Sequence, residues 1–130
     1  MLAELLRPRA DLIYALFRVV IGVLFAFHGA QKLFGFHSDG PVELFSQMGL
    51  GGVIEFAGGV LVAIGLFTRL AAFVCSGTMA VAYAQFHWEF QTGEMLWPAV
   101  NGGELAVLYC FAFFYVAARG GGSLALGRKD

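Results

Sequence analysis

Charged residues and cysteines are scarce in this sequence, and each shortage excludes a class of protein. Asp, Glu, Lys and Arg make up 13% of the 130 residues, whereas about 25% is typical of a soluble domain. A net charge of −1 gives no basis for binding nucleic acid. The two cysteines, Cys75 and Cys110, form no Cys-x-x-Cys pair, so an intrinsic dithiol motif is excluded. Nucleotide-binding glycine loops and haem attachment sequences are also missing, and no intrinsic haem, flavin or metal is predicted.

Hydrophobic residues are abundant instead and are arranged in four blocks. They make up 59% of the chain, and the mean hydropathy is +0.77. Each block is close to the roughly 20 residues that cross a bilayer as a helix. We therefore predict an all-α integral membrane protein, a single domain over residues 1–130 that folds as an up-down four-helix bundle. The predicted helices are 12–34, 51–67, 70–90 and 98–118, with an interfacial segment at 42–50.

Basic residues are concentrated at one end of this predicted bundle. They lie near both termini and in the loop between the second and third helices, whereas the two opposite loops are acidic. Because cytoplasmic loops carry an excess of Lys and Arg, we expect both termini in the cytoplasm. Arg18 lies inside the first helix and is expected to extend either to the cytoplasmic surface or to Asp11. The basic residues counted are Arg7, Arg9, Arg69, Arg119, Arg128 and Lys129; the acidic ones are Asp39, Glu43, Glu89 and Glu94.

Polar side chains from four segments are predicted at one depth, in the outer half of the membrane. Ionisable groups inside a bilayer are costly, so a sequence that keeps them usually pairs them or uses them. We expect a polar cluster at the outer mouth of the bundle, with Tyr83 on the same helix face as His87. Its members are His28 and Lys32 from the first helix, Glu55 from the second, His87 from the third, and Asn101 and Glu104 from the fourth.

Two interpretations of this cluster remain open. Lys32 and the carboxylates could form ion pairs that fix the register of the helices without adding net stability. Alternatively, one ammonium beside two carboxylates leaves a protonated acid or a charged histidine. Such an exchangeable proton suits quinone chemistry or another proton-coupled redox step. A metal site is disfavoured because neither glutamate belongs to a Glu-x-x-His pair and because Lys32 would repel the ion.

Three motifs, in order along the chain, resemble those of the DoxX family. They are His28-Gly29-x-x-Lys32-Leu33-Phe34-Gly35, then Glu55-x-x-Gly58-Gly59 with Gly65-Leu66-Phe67-Thr68-Arg69, then Asn101-Gly102-Gly103-Glu104. The resemblance covers essentially the whole chain and implies a multi-pass, four-helix protein of the bacterial inner membrane. It also implies a relationship to the small subunit of thiosulfate:quinone oxidoreductase. The family positions that carry over are His28, Lys32, Glu55, Asn101 and Glu104.

The combined expectation is a membrane subunit of a quinone-linked redox complex. Lys32, Glu55 and Glu104 are the candidate catalytic residues, and His28, His87, Asn101 and Tyr83 are the candidate quinone-binding residues. Quinone is the expected cofactor, and a redox protein is the expected partner within the lipid bilayer. Glycine-rich helix faces permit a homo-oligomer without requiring one. The alternative is a non-catalytic anchor or assembly subunit with structural ion pairs, so the sequence leaves open whether the chain is an enzyme.

Overall fold

The structure, a computed structural model, describes residues 1–127, and all regular secondary structure in that range is helical. The short α1 (Leu2–Leu6) leads through a 3-10 turn (Arg7–Arg9) into α2 (Ala10–Phe34). The next helices are α3 (Gln47–Ile64) and α4 (Thr68–Ala82), and a π-helical segment (Tyr83–Trp88) extends α4. After a 3-10 turn (Gly93–Leu96) come α5 (Pro98–Asn101) and α6 (Glu104–Arg119).

Glycine allows α2 and α3 to pack with their backbones in contact. A Cβ atom placed on Gly22 would lie 2.6 Å from the backbone nitrogen of Ala63. One placed on Gly59 would lie 2.5 Å from the backbone nitrogen of Ala26. Small residues spaced four apart permit this close approach between helices in a membrane. The pattern of small residues in the sequence therefore identifies the surface that joins α2 to α3.

The remaining long helices complete a shared core. The rings of Phe25 in α2 and Phe113 in α6 lie 4.7 Å apart, and both side chains are buried. The Ser76 hydroxyl of α4 donates a hydrogen bond to the carbonyl oxygen of Cys110 in α6 (2.8 Å). Cys75 is a free, buried thiol. It packs as a small apolar side chain against α3, as expected for a cysteine outside a redox motif.

Two predicted boundaries differ from the structure because of local capping. Ser46 caps α3, with its hydroxyl accepting a hydrogen bond from the Gly49 nitrogen (3.0 Å). This cap starts α3 at Gln47, so residues 47–50 of the predicted interfacial segment belong to the helix. The predicted fourth helix is interrupted at Gly102, which has a φ of 77° and separates α5 from α6. Asn101 stabilises this break by accepting a hydrogen bond from the Gly103 nitrogen (2.8 Å).

Arg18 is fully buried and binds backbone carbonyl groups. Its guanidinium donates to Val62 (2.5 Å) and Ala63 (2.8 Å) at the end of α3, and to Leu124 (3.0 Å) in the C-terminal segment. The expectation that Arg18 extends to the cytoplasmic surface or to Asp11 is wrong, because Arg18 is fully buried and Arg119 forms the ion pair with Asp11. The last carbonyl groups of a helix have no hydrogen-bond donor within that helix. At the end of α3, Arg18 is such a donor.

The start of α2, the α3–α4 turn and the end of α6 lie at the same end of the molecule. Arg69, just after the turn, donates to the carbonyl oxygen of Ala117 in α6 (3.0 Å). Together with the Arg119–Asp11 ion pair, this bond places Arg69 and Arg119, both predicted to face the cytoplasm, at one end of the molecule. Arg128 and Lys129, which the sequence places at the same end, lie outside the described residues.

The surface is apolar enough for a lipid environment. Within the described range, two helical stretches, Leu2–Phe34 and Gln47–Ile64, are long and apolar enough to cross a membrane. Large apolar side chains on α4 and α6 are also exposed, for example Phe73 (61%) and Phe111 (68%). A contiguous apolar surface of this kind is unusual for a soluble monomer.

Candidate functional site

A cavity of about 610 Å³ lies between α2, α3, α4 with its π-helical extension, and α6. It occupies the end of the molecule opposite the arginine-rich end. Most of its walls are apolar, and the polar groups are concentrated on α2, α3 and the π-helical segment. The apolar walls include Phe25, Ile54, Met79, Phe86, Leu105 and Tyr109; the polar lining includes His28, Lys32, Gln47, Glu55, Thr78 and His87.

An ion pair between Lys32 and Glu55 forms part of the cavity wall. Lys32 Nζ donates to Glu55 Oε1 across 2.6 Å. The Glu55 side chain is 3% exposed, whereas that of Lys32 is 27% exposed. Gly52 makes the pair possible, because a Cβ on it would lie 3.0 Å from the Cβ of Lys32. The close packing of α2 against α3 thus brings together an ammonium and a carboxylate that are 23 residues apart.

One oxygen of this carboxylate is unused. Glu55 Oε2 is buried and has no hydrogen-bond partner within residues 1–127. A buried charged group without its full set of hydrogen bonds is costly, and such groups in native proteins usually have a functional explanation. A lysine ammonium carries three N–H donors, so Lys32 also retains donors beyond the bond to Glu55. The pair therefore offers an acceptor and a donor side by side.

Two histidines lie on other parts of the same cavity. His28 is one helical turn before Lys32, and its ring contacts that of Tyr109 edge-on, with centroids 6.1 Å apart. His87 comes from the π-helical segment, where its ring stacks on Tyr83 with centroids 6.5 Å apart. A π-helical turn changes the direction of the side chains that follow it and is frequent at functional sites. Both histidines therefore line the same cavity as Lys32 and Glu55.

Asn101 and Tyr83 support the cavity from outside its lining. Asn101 Nδ2 donates to the Tyr83 hydroxyl and to the carbonyl oxygen of Met95, each at 3.0 Å. These bonds join the α5 break to the π-helical segment that carries His87. Asn101 and Tyr83, both predicted to bind quinone, are therefore bonded to each other and lie outside the lining of the cavity.

Glu104 is not brought together with Lys32. It lies at the first position of α6 with an exposed side chain, away from the lining of the cavity. The Gly102–Gly103 break separates α5 from α6 and changes which face Glu104 occupies. The buried pair thus has one ammonium and one carboxylate, whereas the sequence-based charge count assumed two carboxylates.

A contact that the sequence did not predict lies at the edge of the cavity. Gln47, at the start of α3, donates a side-chain hydrogen bond to Gln85 in the π-helical segment. Gln47 was assigned to the interfacial segment, and π-helical geometry has no clear signature in a single sequence. The Ser46 cap was the available signal that α3 starts early enough to include Gln47.

Metal ligands do not cluster in the described part of the chain. Within residues 1–127, no group of three or more His, Cys, Asp or Glu side chains is arranged to hold a metal ion. The arrangement at the cavity suits a largely apolar molecule that carries an oxygen or nitrogen atom for the Lys32–Glu55 pair.

Sequence comparison identifies the family. The DoxX family model matches residues 13–88, which is more than half of the chain. The chain belongs to the DoxX family. DoxX proteins are membrane-associated, in agreement with the two apolar helical stretches described above. The resemblance seen in the sequence motifs is therefore confirmed.

Two relatives show the similarity over most of their length. A Haemophilus influenzae protein, whose name assigns it no function, is 38% identical over 123 residues, covering 88% of each chain. A Bacillus subtilis protein, CatD, which its name provisionally calls an oxidoreductase, is 30% identical over 118 residues. That match covers 85% of this DoxX chain and 81% of CatD. No solved structure matches the chain.

The DoxX match contains the residues of the ion pair and both cavity histidines. It ends at Trp88, before Asn101 and Glu104. The part of the site contributed by α2, α3 and the π-helical segment thus lies within the family region, while α6 closes the cavity from the other side.

Proposed function

We propose that this DoxX protein is a membrane subunit of a quinone-linked redox complex and that the cavity holds the quinone ring. The observation that carries the proposal is the Lys32–Glu55 ion pair in the wall of a largely apolar cavity, in which the second Glu55 oxygen has no hydrogen-bond partner among residues 1–127. The name of the relative CatD refers to an oxidoreductase, which is consistent with the proposed redox function.

The size and composition of the cavity support a ring-sized, lipid-soluble ligand. A volume of about 610 Å³ falls within the roughly 300–1,000 Å³ of small-molecule sites. Leu50, Val81 and Phe86 line the cavity and are also exposed on the outside of the helices. A ligand dissolved in the bilayer would therefore meet apolar side chains from the lipid phase to the ion pair.

The polar residues have distinct proposed roles. Glu55 carries a proton between the ligand oxygen and the surrounding residues, and Lys32 stabilises negative charge that develops on that oxygen. His28 and His87 relay protons or donate hydrogen bonds to the ring oxygens. Asn101 and Tyr83 hold the π-helical segment so that His87 keeps its position. The electron donor or acceptor belongs to a redox partner protein.

The proposed setting is the bacterial inner membrane, with the four long helices forming a multi-pass bundle and both termini in the cytoplasm. Arg7, Arg9, Arg69 and Arg119 at one end support this orientation through the positive-inside rule. The cavity then lies in the outer half of the bilayer, below the level of Trp88 and Trp97. The exposed apolar side chains of α4 and α6 supply the lipid-facing surface.

The test is to purify the full chain in mild detergent and to quantify bound quinone by mass spectrometry. Wild type is compared with Glu55→Gln and Lys32→Met, and Glu94→Gln serves as a matched control because Glu94 is exposed and outside the cavity. We expect wild type and Glu94→Gln to retain quinone and the two cavity variants to lose most of it. Wild type that binds no quinone, even after incubation with an excess, contradicts the proposal.

The competing function is a non-catalytic anchor in which the Lys32–Glu55 pair only holds α2 to α3. The melting temperatures of the same samples distinguish the quinone-binding function from the anchor function. A structural pair predicts a large loss of thermal stability in Glu55→Gln with no change in ligand content of the protein that remains folded. The unpaired Oε2 favours the binding function, since a purely structural pair gains from having all its hydrogen bonds made.

A further inference from the structure

We infer that the cavity opens sideways into the bilayer through a window between α3 and α4, and that its ligand carries an apolar tail lying in that window. The inference rests on the proposed function, because it concerns the same cavity, and it adds the class of ligand and its route of entry. It follows from where α3 and α4 are in contact and from which of their faces line the cavity.

The two helices touch at Gly58 and separate toward the end of the molecule opposite the arginines. A Cβ atom on Gly58 of α3 would overlap the sulfur of Cys75 in α4. Gly51 lies about two turns earlier on the same face of α3. A Cβ atom there would meet no other part of residues 1–127 within 4 Å. Because Gly51 lines the cavity, the space between the helices at this level belongs to the cavity.

The cavity reaches the outside of the bundle along this gap. At about 100° per residue, Leu50 lies roughly 80° around α3 from Gly58, on the side away from α2. Val81 lies roughly 120° around α4 from Cys75, on the side away from α6. Both Leu50 and Val81 line the cavity, although they are 60% and 51% exposed. The lining therefore extends from the ion pair inside the bundle to the lipid-facing sides of both helices.

Contacts between α3 and α4 close the window at both ends. At one end, Gln47 of α3 donates a side-chain hydrogen bond to Gln85 in the π-helical extension of α4. At the other end, Gly58 packs against Cys75. At about 1.5 Å per residue, Gln47 and Gly58 are about 16 Å apart along α3. The window is therefore a bounded opening, and the helices are joined on either side of it.

The walls of the window are apolar. Ile54 and Ala82 line the cavity at this level. The Thr78 hydroxyl donates to the carbonyl oxygen of Val74 (2.9 Å), so its proton is used within α4. A hydrocarbon chain leaves no polar group of its own unpaired in such a place, whereas a polar group would lose its hydrogen bonds to water. The window therefore suits an apolar tail.

The ion pair lies within reach of the window. Glu55 is one turn from Gly51 along α3, which is about 6 Å of helix axis. Both residues line the cavity. A ring whose oxygen is bound at the Lys32–Glu55 pair can therefore extend a substituent directly into the window.

Aromatic rings close the opposite side of the cavity, between α2 and α6. The ring of Tyr109 lies 5.1 Å from that of Phe25 and 6.1 Å from that of His28. The lining residues of α2 are buried or half-buried. Leu105 of α6 lines the cavity and is exposed, so an opening beside α6 is the competing route for a tail.

The first test compares two probes that have the same ring. Duroquinone carries only methyl groups, and its decyl analogue has a decyl chain in place of one methyl group. Equilibrium dialysis in mild detergent, followed by mass spectrometry, gives the apparent Kd of each probe for the full chain. Partition of a probe into detergent is the same for every variant, so each variant is compared with wild type for the same probe.

Gly51→Phe places a ring in the window. It should weaken binding of the decyl analogue by roughly 10- to 100-fold, as expected when a side chain and a ligand compete for one space, and should change duroquinone binding by less than about threefold. Ala57→Phe is the matched control, because Ala57 is exposed on α3 and does not line the cavity. It should bind both probes as wild type does.

The second test locates the tail in the wild-type protein. A decyl analogue with a diazirine in the middle of its chain is bound, irradiated and mapped by peptide mass spectrometry. Specific labelling is the part that an excess of the unmodified decyl analogue removes. We expect it in residues 47–54 of α3 and 77–82 of α4.

The outcomes separate this inference from the proposed function. If wild type binds both probes but Gly51→Phe weakens both equally or neither, the window is wrong and the proposed function stands. Specific labelling of α2, or of α6 around Leu105, has the same meaning. If wild type binds neither probe, the proposed function fails together with the inference. If Gly51→Phe does not fold, the labelling of wild type decides between the window and the route beside α6.

Discussion

Gly59 of α3 lies so close to Ala26 of α2 that no side chain larger than hydrogen fits between them. A Cβ atom there would be 2.5 Å from the Ala26 nitrogen and 2.6 Å from the carbonyl oxygen of Gly22. Both contacts are with backbone atoms, so neither helix can relieve the overlap by moving a side chain. The Lys32–Glu55 pair depends on this same α2–α3 packing.

Gly59→Ala should therefore destabilise the protein by about 1–3 kcal/mol, the usual cost of overpacking. Thermal unfolding in detergent measures the change. Gly77→Ala is the matched control, because a Cβ on Gly77 meets nothing within 4 Å and alanine favours a helix by about 0.5–1 kcal/mol. Equal melting temperatures for the two variants would contradict the packing argument.

Replacing Arg18 should destabilise the end of the molecule where α2 begins and α6 ends. Arg18→Met leaves the carbonyl groups of Ala63 and Leu124 without this donor, whereas the Val62 carbonyl keeps a hydrogen bond from the Gly65 nitrogen. We expect a loss of about 1–3 kcal/mol for each buried carbonyl group left unsatisfied, and faster proteolysis after Ser123. Limited proteolysis followed by mass spectrometry locates the cleavage. Arg7→Met, at an exposed position, should behave like wild type.

The proposed orientation predicts which loops a membrane-impermeant thiol reagent can reach. Asp39→Cys, in the exposed loop after α2, should be labelled in intact cells, whereas Glu4→Cys in α1 should be labelled only after the membrane is opened. The parent chain, with Cys75 and Cys110 unchanged, gives the background labelling. The reverse pattern would place both termini outside.

Glu104 distinguishes the cluster predicted from sequence from the cavity seen in the structure. The sequence assigns Glu104 and Glu55 similar roles, whereas the structure exposes Glu104 and buries Glu55. Glu104→Gln should therefore retain clearly more bound quinone than Glu55→Gln when both are measured by mass spectrometry. Equal losses of bound quinone in the two variants would mean that the exposed Glu104 carboxylate also takes part in quinone binding.

Helical periodicity was sufficient to predict an all-helical chain and the places of its long helices. The long apolar blocks predicted the four long helices, and small residues such as Gly22 and Gly59 predicted close packing. The positions of Lys32 and Glu55 followed from depth alone, because each lies a countable number of turns from the end of its helix. These features depend on residues near one another in sequence, so a single chain reveals them.

Features that depend on local hydrogen bonds or on packing could not be predicted in the same way. The Asn101 turn interrupts the final helix and leaves Glu104 exposed, and no period in the sequence marks that interruption. The π-helical segment that carries His87 is not distinguished from an α-helix by its pattern. The unpaired oxygen of Glu55 depends on the arrangement of every neighbouring helix.

The contacts of Arg18 also have a consequence for how the chain is made. Its partners Ser123 and Leu124 lie 105 and 106 residues further along the chain. At about 5–20 residues per second, the ribosome adds Ser123 and Leu124 several seconds after it has added Arg18. Until then the guanidinium has only the carbonyl groups of α3 available in the nascent chain. The buried arginine site therefore stays incomplete until residue 124 has been synthesised, and a chain truncated before Ser123 would leave this charge incompletely bound.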